Sequence, residues 1–200
     1  MDESIHKSIL QSIQEIADLY QTNQAMILTE DDLKCVLVSK LNELECFSGF
    51  HKTHDETIKG TKVHCELSWF DEDGKLTIKP DITILDPSKL SILHGINFKR
   101  VPSKGFNFVG DAIVFELKFF REKDGITQKV FDEDIVRDCK KLSKLIAKLY
   151  RPPVEHIPQC YMVIFSKFSS HCEDFSKFLT ENNYKHIHVI YHSGNVCLDA

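Results

Sequence analysis

The sequence predicts an α/β domain in which a central mixed β-sheet is flanked by helices, and three observations carry that expectation. Residues 110–120 are apolar on both sides except where Glu116 and Lys118 project, the pattern of a strand in the middle of a covered sheet. Residues 75–85 alternate, with Ile78, Pro80, Ile82 and Ile84 on one face and Lys79, Asp81, Thr83 and Leu85 on the other. Stretches of helical period stand before and after these strands, as in a sheet packed beneath helices.

A chain of 200 residues suits one globular unit, organised as an N-terminal helical appendage over residues 1–28 and a main domain over residues 29–200. No apolar run reaches the length of a membrane span, and the start Met1-Asp2-Glu3-Ser4 lacks secretory character. A cytoplasmic protein with no membrane partner is expected. The seven cysteines are scattered and never form a Cys-x-x-Cys pair, so they read as reduced, mostly buried thiols. The net charge of -5 argues against indiscriminate polyanion binding but leaves room for a local basic patch.

Along the chain, Ile5, Ile9, Ile13, Ile16 and Tyr20 recur at helical spacing and predict a first helix over residues 3–20. Thr29 is a candidate N-cap, with Asp32 three residues on. The second helix, residues 30–47, is expected to bury Leu33, Val36, Leu37, Leu41, Leu44 and Phe47. Glu30 lies about 50° from the centre of that stripe, Glu43 about 90° and Glu45 about 110°, which favours Glu30 as the acid looking inward. A carboxylate serving the helix dipole is the other reading of Glu30.

His51-Lys52-Thr53-His54-Asp55-Glu56 reads as a polar loop without a ligand set. An alternating strand over residues 61–70 holds the one tryptophan, Trp69, and Asp71-Glu72-Asp73-Gly74 turns the chain back. After Asp86-Pro87 comes a long insertion whose Lys99, Arg100 and Lys104 could lie across a nucleic-acid backbone, or be plain solvated loop. The helix predicted over residues 132–150 buries Ile135, Cys139, Leu142, Ile146 and Leu149 and turns Arg137, Lys140, Lys141, Lys144 and Lys148 to the other side, and Arg151-Pro152-Pro153 stops it. That stripe is either a solvated face or a phosphate-tracking surface. A buried strand over 159–165, a helix over 171–182 and a strand over 186–191 complete the chain, with His186 and His188 expected as exposed edge residues.

A carboxylate and an ammonium in a covered strand are costly to desolvate unless paired, hydrogen-bonded or bound to a metal. The chain also contains Asp32-Leu33-Lys34, Asp73-Gly74-Lys75 and Asp138-Cys139-Lys140, but these fall on predicted helices or a Gly turn. Only Glu116-Leu117-Lys118 lies in an apolar strand, where a structural salt bridge is its plainer reading.

Pro80-Asp81 followed by Glu116-Leu117-Lys118, with a helix before and an amphipathic helix and another apolar strand after, resembles the PD-(D/E)xK nuclease superfamily over about residues 29 to 191. The resemblance implies a restriction-endonuclease-like αβββαβ core with an extra N-terminal helix, and a metal-dependent nuclease acting on DNA, with RNA not distinguished. Two carboxylates on adjacent strands can hold Mg²⁺ or Mn²⁺ through oxygen while leaving positions for water and phosphate, and Asp81 and Glu116 fit that part. The Leu117 carbonyl is a further metal ligand by the same resemblance. Lys118 would orient or help deprotonate the attacking water, and Glu30 would complete the acidic pocket. The predicted helix after Lys118 carries no clear Gln-x-x-x-Tyr pattern, since Gln128 falls before it, which argues against a close relationship to the RecB-like subgroup. A homodimer is common among such nucleases, but no stretch marks an interface. The competing expectation is a catalytically inactive nuclease-fold module that binds nucleic acid or, as the net charge of -5 would suit, another protein.

Overall fold

Ile9, Ile13, Ile16 and Tyr20 are buried along one side of helix α1, Glu3–Thr22. The computed structural model describes residues 3–70, 76–92, 106–108, 110–149, 158–181 and 184–194, with backbone alone at 76, 77, 107, 148 and 149. Helix α2, Glu30–Glu43, is started by a reciprocal cap. The Thr29 hydroxyl accepts from the Asp32 N–H at 3.1 Å, and the Asp32 carboxylate accepts from the Thr29 N–H at 3.0 Å. This satisfies groups that a helix start leaves open and holds Glu30 in the first turn. The helix ends before the expected residue 47, because Leu44 turns to an extended conformation. Phe47 is still buried, but in the turn beyond, while Val36 and Leu44 are only partly covered.

The expected polar loop instead contributes a short antiparallel pair, β1 (His51–Lys52) with β2 (Lys59–Gly60), closed by Thr53, whose N–H and hydroxyl both donate to the Ile58 carbonyl. The strand expected over residues 61–70 divides into β3 (Val63–Cys65) and β4 (Trp69–Phe70). Glu66 between them takes φ 51°, a left-handed conformation that ends a pleated strand. The stretch 75–85 divides likewise into β5 (Leu76–Ile78) and β6 (Ile82–Leu85) at Pro80, which has no N–H to give a ladder. β5 pairs with β4 and β6 with β3, so Ile78 joins Leu85 in one buried cluster while Ile82 and Ile84 belong to the other. The single facing expected for Ile78, Ile82 and Ile84 therefore does not hold. Strands β7 (Leu90–Ser91) and β8 (Asn107–Phe108) pair antiparallel. The turn at Asp71 to Gly74, the stop at Arg151 to Pro153, and Lys99, Arg100 and Lys104 lie outside the described residues.

Strand β9, Ala112–Phe120, runs parallel to β10, Gln159–Ser166, and β10 runs parallel to β11, Ile187–Ser193. With β6 and β3 added antiparallel, a mixed sheet of order β11-β10-β9-β6-β3 results. Between β9 and β10 the chain is helical from Gln128. It passes through α3 (Gln128–Val130), a wider π turn (Phe131–Val136) and α4 (Arg137–Leu149). The start is one turn earlier than expected because the Thr127 hydroxyl caps it, accepting from the Val130 N–H at 3.4 Å, so Gln128 opens the helix rather than preceding it. Helix α5, Glu173–Thr180, links β10 to β11.

Alternation along β9 divides the core. Ile113, Phe115 and Leu117 meet α1 and α2 through Ile13, Leu33 and Leu37, whereas Val114 meets Ile135, Cys139 and Leu142 on the opposite face. Helices thus cover both sides of the sheet, which is why β9 and β10 are apolar almost throughout. Of the described cysteines only Cys139 and Cys160 are buried. Cys35 and Cys65 are exposed, against the expectation of mostly buried thiols, because they lie on the solvent sides of α2 and β3. His188 is likewise not an exposed edge residue. It is half-buried, stacked on Tyr161 with ring centroids 5.0 Å apart, and 4.6 Å from the His6 ring, while His186 is exposed and precedes the strand. Among the described residues no helix is long and apolar enough to cross a membrane.

Candidate active site

In the antiparallel register of β6 and β9, Ile82 stands opposite Phe115 and Thr83 opposite Val114. One step back along the chain brings Asp81 opposite Glu116, and opposite residues share a face. The Asp81 carbonyl accepts from the Glu66 N–H at 2.9 Å on its other side, so Asp81 and Glu116 form a pair without mutual backbone bonds. In such pairs the side chains approach most closely.

Pairing of β6 with β9 stops at Ile82, and the next outward N–H of β9 is taken by an acid instead of by a strand. The Asp81 carboxylate accepts from the Leu117 N–H at 2.8 Å, and the Phe119 N–H, next along the same edge, favours the charged form of Glu30. The N–H and C=O of a strand residue point to the same edge, so the Leu117 carbonyl opens toward Asp81. The end of β6 and the start of α2 therefore bring these groups together.

Lys118 lies on the same face as Glu116, two residues on, with its side chain only 12% exposed. Its Nζ is 3.1 Å from Asp138 Oδ2, 3.3 Å from Glu116 Oε1 and 3.9 Å from Glu30 Oε2. Burial alone would depress the lysine pKa, but the carboxylates of Glu116, Glu30 and Asp138 outweigh it and hold the pKa above the ordinary value. Lys118 is accordingly a fixed ammonium at neutral pH.

The acids behave differently from one another. Burial pushes the Glu116 carboxyl up to about 7; Lys118 opposes this, and the neighbouring charges of Asp81 and Asp138 add to it. Burial also raises Asp81 and Glu30, against the pull of the Leu117 N–H and Lys118 on the first and of Lys118 on the second. Burial works on Asp138 too, but Lys141, with its Nζ 2.5 Å from Oδ1, and Lys118 together bring its pKa below the usual range. Glu30 and Glu116 share the buried Lys118 ammonium with Asp138, which also meets Lys141 and Arg137, while Asp81 lies in the field of both Lys118 and Lys34.

Such a donor set fits a hard divalent cation. Mg²⁺ is commonly held by one or two carboxylates with water and substrate phosphate completing its shell. Asp81, Glu116 and the Leu117 carbonyl supply that minimum. Among the described residues no group of three or more His, Cys, Asp or Glu is arranged to hold a metal ion.

Sequence reasoning missed Asp138, dismissed as one of three chance acid-x-Lys patterns. It is 2% exposed and aimed at Lys118. The signal was its phase: it falls three residues after Ile135 and four before Leu142, both fully buried. Glu43 is exposed and 3.4 Å from Lys40, which leaves Glu30 as the helix acid at the site. Arg137 and Lys141 reach the cluster through Asp138, and Lys144 is exposed further along α4. At Lys148 only the backbone is described. Scanned against protein-family models, curated proteins and solved structures, the chain matches none.

Proposed function

We propose that the chain is a Mg²⁺- or Mn²⁺-dependent nuclease hydrolysing phosphodiester bonds, with DNA as the first substrate to test. The observation that carries this reading is Asp81 and Glu116 side by side on one face of the sheet, with Lys118 beside Glu116. A divalent ion bound by Asp81, Glu116 and the Leu117 carbonyl would polarise a phosphoryl oxygen and make water acidic enough to attack at neutral pH.

The chain's own groups do the rest. Lys118, held as an ammonium among three carboxylates, stabilises negative charge developing on the phosphoryl oxygens. Glu30 is the most open of the site acids that face Lys118, at 44% exposed, and it accepts a hydrogen bond from the incoming water and orients it. The exposed Arg137, Lys140, Lys141 and Lys144 give α4 a cationic side along which a phosphate backbone can lie despite the net charge of -5. A cytoplasmic location belongs to the same reading, since six described cysteines are free thiols, as a reducing compartment keeps them.

The test is cleavage of labelled single-stranded, duplex and branched DNA and of RNA in Mg²⁺ and Mn²⁺. Wild type is expected to cut at least one substrate, EDTA to stop it, and Asp81→Ala, Glu116→Ala and Lys118→Ala each to abolish it while folded. A wild type no faster than these variants on every substrate overturns the reading. Salt-dependent binding without cleavage would then leave a nuclease-fold binding module.

A further inference from the structure

Among the described residues Asp138 is the one charged side chain that is buried, and its two oxygens serve different sides of the molecule. Oδ2 faces the Lys118 ammonium inside the cluster at 3.1 Å. Oδ1 faces Lys141 Nζ at 2.5 Å and Arg137 Nε at 3.5 Å, whose side chains are 45% and 57% exposed on the cationic side of α4. A buried carboxylate stripped of its partners is strongly unfavourable, so these three cations do not act independently. Whatever engages Arg137 and Lys141 changes how firmly Asp138 holds Lys118. Lys118 in turn is shared between Asp138 and Glu116, at 3.1 and 3.3 Å. The helix widens into its π turn immediately before Arg137, an irregularity often found beside functional residues.

We propose that Asp138 is a positioning residue that couples a nucleic-acid phosphate bound by Arg137 and Lys141 to the placement of the Lys118 ammonium relative to Glu116. The inference rests on the nuclease reading and adds to it a substrate-driven adjustment of the site. A phosphate that draws Arg137 and Lys141 outward leaves Asp138 with Lys118 as its remaining partner. The ammonium then moves toward α4 and loosens from Glu116, whose carboxylate becomes available to the cation. Cleavage is in this way tied to occupancy of the α4 surface.

The experiment follows the Lys118 side-chain ammonium by ¹⁵N NMR in metal-free protein, titrated with a short 5′-phosphorylated single-stranded DNA, alongside Mn²⁺-dependent cleavage of that DNA. In wild type the DNA is expected to shift the Lys118 signal, and in Asp138→Asn it is expected not to. Because Asp138→Asn removes a buried charge and can unfold the chain, Arg137→Ala/Lys141→Ala is the second variant. Its free Lys118 signal is expected to lie near that of DNA-bound wild type. Asp138→Asn is expected to lower kcat by a factor on the order of 10 to 100 while KM changes far less, as for a catalytic group slightly misplaced. If DNA binds and is cut but the Lys118 signal stays still, or Asp138→Asn keeps the wild-type kcat, this inference alone falls. If wild type cuts none of the single-stranded, duplex and branched DNA or RNA substrates, the nuclease reading falls and takes this inference with it.

Discussion

Replacing Glu116 by Gln should make the metal-free protein more stable, and increasingly so as pH rises. The Glu116 carboxyl sits at about 7 in the folded chain against 4.5 for a free glutamate, chiefly because it is buried. A raised folded value means that the fold favours the protonated form. The stabilisation this brings is complete below pH 4.5 and is lost as pH rises through about 7. The difference of roughly 2.5, at 1.36 kcal/mol for each, is about 3 kcal/mol. Glutamine is neutral throughout and never incurs that loss. Urea unfolding of both proteins in EDTA, from pH 4.5 to 8.5, should give a stability difference that shifts in favour of Glu116→Gln by about 3 kcal/mol across the range. Adding Mn²⁺ at pH 8.5 should then stabilise wild type, by about 2.7 kcal/mol at a hundred times its Kd, and leave the variant unmoved. A difference that stays flat with pH would refute the argument, since it would mean that Glu116 is not desolvated in the fold.

Three further outcomes follow from the same geometry. Lys118→Ala should raise the Glu116 value beyond about 7, because the opposing cation is gone, and ¹³C NMR of the carboxyl carbon reads this directly. Thr29→Ala removes half of the reciprocal cap at α2, which should cost about 1 kcal/mol in urea unfolding and, by loosening Glu30, slow cleavage as well. Burial, with His6 and His186 nearby, holds the His188 pKa below the ordinary value, so its neutral form is favoured and stability is lost as pH falls below about 6.5. His188→Gln should flatten that part of a stability-against-pH series.

The central sheet was legible because its strands carry little besides burial information: residues 112 to 115 and 160 to 165 are all covered, as in strands with helices on both faces. Glu30 was legible from its angle on a helix whose buried stripe is regular. The breaks at Glu66 and Pro80 were not, since alternation continues through both, and only the left-handed φ of the first and the lost ladder bond at the second divide the strands. Asp138 escaped notice because charge weighed against burial, yet in the fold Lys118, Lys141 and Arg137 meet it and make burial tolerable. The surroundings of Lys118 were legible only in part. A sequence shows one acid two residues away, whereas three carboxylates set the charge state of the amine.

Beneath all of this is one claim, that Asp81 and Glu116 share a divalent ion. Titrating metal-free protein with Mn²⁺ and following free Mn²⁺ by electron paramagnetic resonance measures it without any substrate. Wild type should remove Mn²⁺ from solution more tightly at pH 8 than at pH 6, because the ion displaces the Glu116 proton, and Asp81→Asn and Glu116→Gln should each abolish that uptake. Equal Mn²⁺ uptake by wild type and both variants would contradict the claim.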